Sequence, residues 1–224
     1  IIPVPNQHKG MLDFKQDNPS IIEEMDLREL KELSKKNSVS LSSILSFIIA
    51  HTIQDCELNY RLDDLNQVHY DEPIIGFAVN RKEGAFNKLL VVPINMNKFI
   101  NPNGIDLVKL TQYITRLNDP TISLSDIDLH PHNYACVFSN AGKDTAQTVI
   151  PMNPNASMII APGRIENGTS NVTCKFCHAT FADGQQLSTF FTKTLKSRLE
   201  HPDNYLASFK KESRTPQITF RYGK

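Results

Sequence analysis

One stretch concentrates the side chains that could do chemistry: Cys174-Lys175-Phe176-Cys177-His178-Ala179-Thr180-Phe181-Ala182-Asp183-Gly184. Two thiols, an imidazole and a carboxylate in so short a span suit acid–base work, nucleophilic work or metal ligation. Cys174-x-x-Cys177-His178 satisfies the pattern for covalent attachment of a c-type haem. Nothing else supports that electron-carrier reading. No export signal opens the chain, and the segment alternates like a strand where a haem-attachment helix or loop is expected. As a zinc site it offers at most three ligands with no second cysteine pair, so no metal is expected. Two half-buried strand residues are the plainer reading of both cysteines.

Other candidates are weaker. His130-Pro131-His132 reads as a solvated loop pair without a carboxylate or cysteine pattern beside it. His51 falls in an apolar helix and reads as a core or interface histidine. Taken alone, Asp183 is a turn former or N-cap, and Ser139-Asn140 is a strand end. Asn155-Ala156-Ser157, Asn167-Gly168-Thr169 and Asn171-Val172-Thr173 match the glycosylation pattern, but chance matches are common in an Asn-rich chain.

The elements that would position these groups follow from periodicity. Val172, Cys174 and Phe176 share one face of a strand, with Thr173, Lys175 and Cys177 on the other. Asp183-Gly184 is a turn pair, and Leu187, Phe190, Phe191, Leu195 and Leu199 space a helix from Gln185. Earlier, Ile21 to Asp26 reads as a strand. A helix follows through Leu27, Leu30 and Leu33, with Asp26 as N-cap, Glu29 in a capping-box variant and Lys35-Lys36 at its end. Leu41 to about Cys56 is a helix apolar almost all round, so it belongs inside. Strands are expected at Gln67 to Tyr70, Ile74 to Asn80 and Leu89 to Ile94, with a turn at Lys82-Glu83-Gly84. A helix runs from Gly104 through Leu107, Leu110, Ile114 and Leu117, and residues 118–133 read as a long loop. Tyr134 to Ser139, Val149-Ile150, Ser157 to Ala161 and Arg164-Ile165 complete the strands, with a hairpin turn at Glu166-Asn167-Gly168. The first 20 residues, with Pro3, Pro5 and Pro19, read as an arm before one domain at 21–224. Helices at both ends with strands between imply α/β layers around a mixed sheet.

Composition narrows the function class. A chain of 224 residues can bury one substantial core, and 40% hydrophobic with 21% charged residues fits a globular protein. The formal net charge is zero and no basic run occurs, so neither nucleic acid nor an anionic membrane is a favoured partner. Leu41 to Ile53 is too short to span a bilayer. Four cysteines make no disulfide scaffold, and a reducing compartment, cytoplasmic or mitochondrial matrix, is expected. The start at Ile1 without a methionine suggests an excised domain.

The Cys174–Gly184 stretch resembles the His-x-x-x-Asp-Gly signature of the chloramphenicol acetyltransferase superfamily, which includes the acyltransferase cores of 2-oxoacid dehydrogenase complexes. Aligned on Asp183-Gly184, the family's catalytic histidine falls at position 179, where this chain has Ala179. His178 sits one residue early, where the acetyltransferase branch often carries a first, non-catalytic histidine. Further segments are similar to the 2-oxoacid dehydrogenase branch: Ile75-Gly76-Phe77-Ala78-Val79-Asn80 with Leu90-Val91-Val92-Pro93-Ile94, Phe138-Ser139-Asn140-Ala141-Gly142, and Pro151-Met152-Asn153-Pro154 followed by Ser157 to Ile165. Their order matches over roughly residues 20 to 200.

The resemblance implies a chloramphenicol acetyltransferase-like two-layer α/β fold, with a mixed sheet packed against helices. It implies acyl transfer between coenzyme A and a thiol or hydroxyl acceptor in a homotrimer, possibly within a larger assembly, with each site between subunits. By position, Ser139 stabilises the oxyanion and Asp183 supports the site, while Ala179 leaves the base position without a titratable atom. His178 could replace the base only if the backbone turned. Ala179 is then an engineered knockout or the mark of a natural inactive member. The alternatives are a non-catalytic structural core subunit and a free-standing acetyl-coenzyme A-dependent enzyme acting on a small molecule.

Overall fold

The computed structural model describes residues 20–55, 60–63, 66–68, 73–83, 86–123, 134–139, 156–176 and 185–210. Its centre is a six-stranded mixed sheet ordered β1-β10-β9-β8-β4-β5. The strands are β1 (Ser20–Asp26), β4 (Ile74–Glu83), β5 (Phe86–Asn95), β8 (Tyr134–Phe138), β9 (Ala156–Pro162) and β10 (Thr169–Phe176). Two small antiparallel pairs stand apart: β2 (Tyr60–Asp63) with β3 (Asn66–Val68), and β6 (Ile100–Asn101) with β7 (Gly104–Ile105). The helices are α1 (Arg28–Lys36), α2 (Leu41–Asp55), α3 (Leu107–Asn118), α4 (Gln185–Glu200) and α5 (Pro202–Ala207).

Alternation along the strands divides the sheet into two faces. Met25, Val172, Cys174, Phe176, Met158, Ile160, Cys136, Phe138, Phe77 and Val92 share one core cluster with residues of the helices. The opposite face carries a smaller cluster, Val137 and Ile159 with Ala78 and Val91 against them, all from strands. The chain therefore has the expected two-layer arrangement, helices on one face of a mixed sheet. α2 is buried along twelve of its fifteen residues, as its all-round apolar sequence requires. Two of its hydroxyls return to the helix backbone: Thr52 donates to the Ile48 carbonyl at 2.6 Å and Ser46 to that of Ser43 at 3.2 Å.

Several boundaries differ from the sequence expectation. Asp26 ends β1, and Leu27 takes the N-cap position of α1 without a side-chain cap. The Asp26 carboxylate still accepts from the Arg28 amide at 3.0 Å, so it satisfies one helix-start donor from a residue further out. β4 and β5 run on to Glu83 and from Phe86, longer than expected, because cross-strand pairing extends to Glu83↔Phe86. α3 starts at Leu107, later than Gly104. Asp106 is its cap, accepting from the Lys109 amide at 2.9 Å, while Gly104 pairs with Asn101 in the β6–β7 ribbon. Arg164-Ile165 lies outside any strand. The expected arm (residues 1–19), Val149-Ile150, His130-Pro131-His132 and Cys56 lie outside the described residues.

The hairpin joining β9 to β10 is as the sequence implied. Glu166 and Thr169 form a bridge, and Asn167 and Gly168 have φ of 51° and 91°. A β-carbon on Gly168 would overlap the Cγ of Arg28, and the Gly168 carbonyl accepts from the Leu27 amide at 2.8 Å. The turn thus locks onto the start of α1. Gly168→Ala is expected to destabilise the protein by about 1–2 kcal/mol, from left-handed backbone strain and displacement of Arg28. Guanidinium unfolding checks it; a loss under about 0.5 kcal/mol would mean the turn relaxes freely.

Candidate functional site

Residues 177–184, which include Cys177, His178, Ala179, Asp183 and Gly184, lie outside the described residues, but the two elements that carry them are described. β10 ends at Phe176 and α4 begins at Gln185. Four contacts clamp this strand–loop–helix unit. The Phe176 ring meets that of Phe191 edge-on, centroids 6.2 Å apart. Cys174, buried on β10, hydrogen-bonds with Thr192 of α4. Lys196 pairs with Glu23 of β1 at 2.9 Å, with both side chains partly exposed. Arg198 pairs with Asp55 at the end of α2 at 2.9 Å, and both are almost fully buried.

The last of these is a small network. One Arg198 amino group, Nη1, donates to Asp55 Oδ2 and, at 3.1 Å, to Thr52 Oγ1. The Tyr205 hydroxyl of α5 donates to the same Asp55 oxygen at 3.2 Å, and the guanidinium lies 4.1 Å from the Tyr205 ring centroid. Periodicity in the sequence does not single out this pair. Its one signal was a charged residue, Arg198, beside the apolar positions Leu195 and Leu199, and a carboxylate at the end of an apolar helix.

Ser139 is described and half-buried. It directly follows β8, and its amide donates to the Ile160 carbonyl at 3.0 Å. Strand directions fix where it stands relative to the loop. β8 and β9 are parallel and pair Phe138 with Ile160; β9 and β10 are antiparallel and pair Ile160 with Cys174. Ser139 therefore leaves the sheet at the level of Thr173, whereas β10 runs the other way to Phe176, level with Cys136. Two strand spacings and three residues of rise separate Ser139 from Phe176, about 14 Å, and β10 is heading away. Within one chain, Ser139 and the start of the loop belong to opposite ends of the sheet.

The remaining candidates take plainer places. His51 is buried in an aromatic cluster, its ring centroid 4.5 Å from Phe47 and 4.8 Å from Phe209. Cys174 faces the core, not a ligand: burial pushes its thiol up to about 12, with the Thr192 hydroxyl partly opposing. That placement removes one sulfur from the Cys-x-x-Cys-His haem pattern. Among the described residues no group of three His, Cys, Asp or Glu is placed to hold a metal, and no helix is long and apolar enough to cross a membrane.

Three solved structures share this architecture. The cubic core of the pyruvate dehydrogenase multienzyme complex superposes with a TM-score of 0.63 at 18% identity, over 85% of this chain and 85% of that one. A dihydrolipoamide acetyltransferase of Azotobacter vinelandii gives 0.62 at 17% identity, over 90% and 88%. A truncated catalytic core of the 2-oxoacid dehydrogenase multienzyme complex of Thermoplasma acidophilum gives 0.61 at 19% identity, over 84% and 90%. No family model and no curated protein matches the sequence. At these identities the likeness establishes the fold: the chain has the fold of 2-oxoacid dehydrogenase acyltransferase cores.

The thiol placement is directly testable. With Cys56→Ser and Cys177→Ser in place, Cys136 and Cys174 are expected to resist Ellman's reagent at pH 8 until the protein is unfolded. Both are fully buried, and a thiol at about 12 is thiolate in only about 1 molecule in 10⁴ there. Prompt titration of either in native protein would show that the β10 face is not packed as described.

Proposed function

We propose that this chain is an acyltransferase core subunit whose site is completed by a neighbouring copy, with Ser139 from one subunit meeting the 177–184 loop of the next. The observation that carries the proposal is the placement of Ser139 and the end of β10 at opposite ends of the sheet. Because β10 ends heading away from Ser139, a second copy is the natural source of the other half of the site. The acyltransferase-core fold supports the same reading. So does the spacing in the Azotobacter vinelandii enzyme, whose catalytic mechanism involves a serine, a histidine and, four residues on, an asparagine. Ala179 and Asp183 stand four apart in this chain.

In this reading the acyl group moves between the thioester of coenzyme A and a thiol or hydroxyl acceptor. The Ser139 hydroxyl donates to the oxyanion of the tetrahedral intermediate, and Asp183 holds the loop by charge and hydrogen bonding. No group at position 179 takes the acceptor's proton, so substrates bind but turn over slowly. Loss of a general base costs about 10²–10⁴ in rate, or roughly 3–5 kcal/mol of transition-state stabilisation. The second reading is a subunit kept for assembly alone; it is favoured by the alanine itself and by the multienzyme-core neighbours. The two readings assign the same trimer and differ in whether substrates bind.

Ala179→His is expected to raise acyl-coenzyme A turnover about 10²–10⁴-fold, with a rate that rises with pH through the imidazole range, because only neutral imidazole accepts the proton. His178→Ala in the parent is expected to change little. Adding Ser139→Ala to the Ala179→His variant is expected to remove about 10²–10³ of that gain. Mixing this double variant with the parent chain and reassembling trimers would then restore activity at about a quarter of sites, those pairing an imidazole from one chain with Ser139 from its neighbour. Failure of the mixture to exceed both components would place the whole site in one subunit. Absence of coenzyme A binding by the parent would favour the assembly reading, and a stable monomer in light scattering would defeat both.

A further inference from the structure

β1 is an outer strand of the sheet, paired with β10 along one edge only. The bonds at its end show which backbone groups lie on the other edge. The Leu27 amide donates to the Gly168 carbonyl at 2.8 Å, toward β10, whereas the Asp26 amide turns away to Glu200 Oε1 at 3.0 Å. Strand residues alternate in this respect, so Ile21, Glu23 and Met25 face β10 while the amides and carbonyls of Ile22 and Glu24 point outward. No described residue bonds to those outward groups. The edge also lacks the usual guards: β1 holds no proline and keeps unbroken register with β10 from Ser20 to Asp26.

Two features give this edge a chemical character. Glu23, Glu24 and Glu200 surround a single ammonium, that of Lys196, so the surroundings carry excess negative charge. The Ile22 side chain, 47% exposed, stands beside the edge on the face away from the helices.

The chain itself supplies a segment of complementary chemistry. Residues 211–224 hold Lys211, Arg214, Arg221 and Lys224 against one carboxylate, Glu212. Within them Ile218, Phe220 and Tyr222 alternate with Thr219 and Arg221 between Pro216 and Gly223, which is a strand pattern with stop signals at both ends. Reach is sufficient. Glu200 touches the β1 edge at the end of α4, and residues 202–210, in α5 and the 3-10 turn after it, advance at most about 15 Å from there. Residues 211–216, extended, cover about 20 Å on the way back.

We infer that residues 217–222 of the same chain add a strand to the outer edge of β1. Their main chain pairs with Ile22 and Glu24, the Ile218, Phe220 and Tyr222 side lies with Ile22, and Arg221 joins the Glu23 and Glu200 carboxylates. The β1 strand of a second copy fits less well, because it would bring glutamates against glutamates. The inference is independent of acyl transfer, since it uses none of the 177–184 residues.

The test is hydrogen exchange of the full chain, resolved to single amides. Thr219→Pro together with Phe220→Pro removes a ladder donor whichever of the two faces β1, and breaks the added strand. The double variant is expected to speed exchange of the Ile22 and Glu24 amides about tenfold, the effect of losing one hydrogen bond at each. The Ile159 and Ile160 amides of β9 are expected to keep their rates. Arg221→Glu sets a carboxylate beside Glu23 and Glu200 and is expected to speed the same two amides severalfold, with the effect shrinking at high salt. Unchanged exchange at Ile22 and Glu24 in the double variant, or equal speeding throughout β9, would overturn the proposal. So would slow exchange restored to isotope-labelled double-variant chains by reassembly with parent chains, which would assign the strand to a second copy.

Discussion

The helical layer depends on the buried ion pair between Arg198 and Asp55. Taking both charges out of water is expensive, and two further hydrogen bonds offset part of that cost: Arg198 donates to the Thr52 hydroxyl and the Tyr205 hydroxyl donates to Asp55. Removing one partner of such a pair costs about 3–5 kcal/mol, since the survivor is left charged and unpaired. What the pair contributes is position. It ties the end of α2, the long helix buried over the sheet, to the last turns of α4, and through Tyr205 to α5. α4 in turn is pinned at its middle by Phe191 on Phe176 and Thr192 on Cys174. The helix that follows the loop is thus fixed against β10 and α2, and a rigid element of this kind suits a site carried on a loop.

Legibility in the sequence followed the strength of periodicity. α2 and α4 were readable because their apolar residues leave no other placement, and Asn167-Gly168 because left-handed backbone has few tenants. The strand face of Val172, Cys174 and Phe176 was readable for the same reason: alternation is a direct image of burial. The missed elements are short. β2, the β6–β7 ribbon and α5 have too few residues to show a period, and their existence is a tertiary matter. Asp26 shows the limit at boundaries. It does accept a helix-start amide, as a cap would, but β1 pairing with Thr169 of β10 holds its backbone in the sheet.

The candidate site was legible in part and for a different reason. Ser139 and the Asp183-Gly184 pair were singled out by resemblance, not by any local pattern; alone, each looks like an ordinary strand end or turn. The position of Ser139 relative to the end of β10 could not be read from sequence at all. It depends on β8 being parallel to β9 and β9 antiparallel to β10, and strand direction emerges from how the chain crosses the sheet. Once those directions are known, the opposite-end placement follows from counting residues along the paired strands.

The same scaffold explains how a chain can carry Ala179 and still have this fold. Among the described residues, the contacts that fix β10 and α4 include Glu23 with Lys196, Cys174 with Thr192, Phe176 with Phe191, and Asp55 with Arg198. None of these four contacts involves position 179. Possession of this fold therefore does not by itself decide the chemistry, which belongs to the side chains mounted on it.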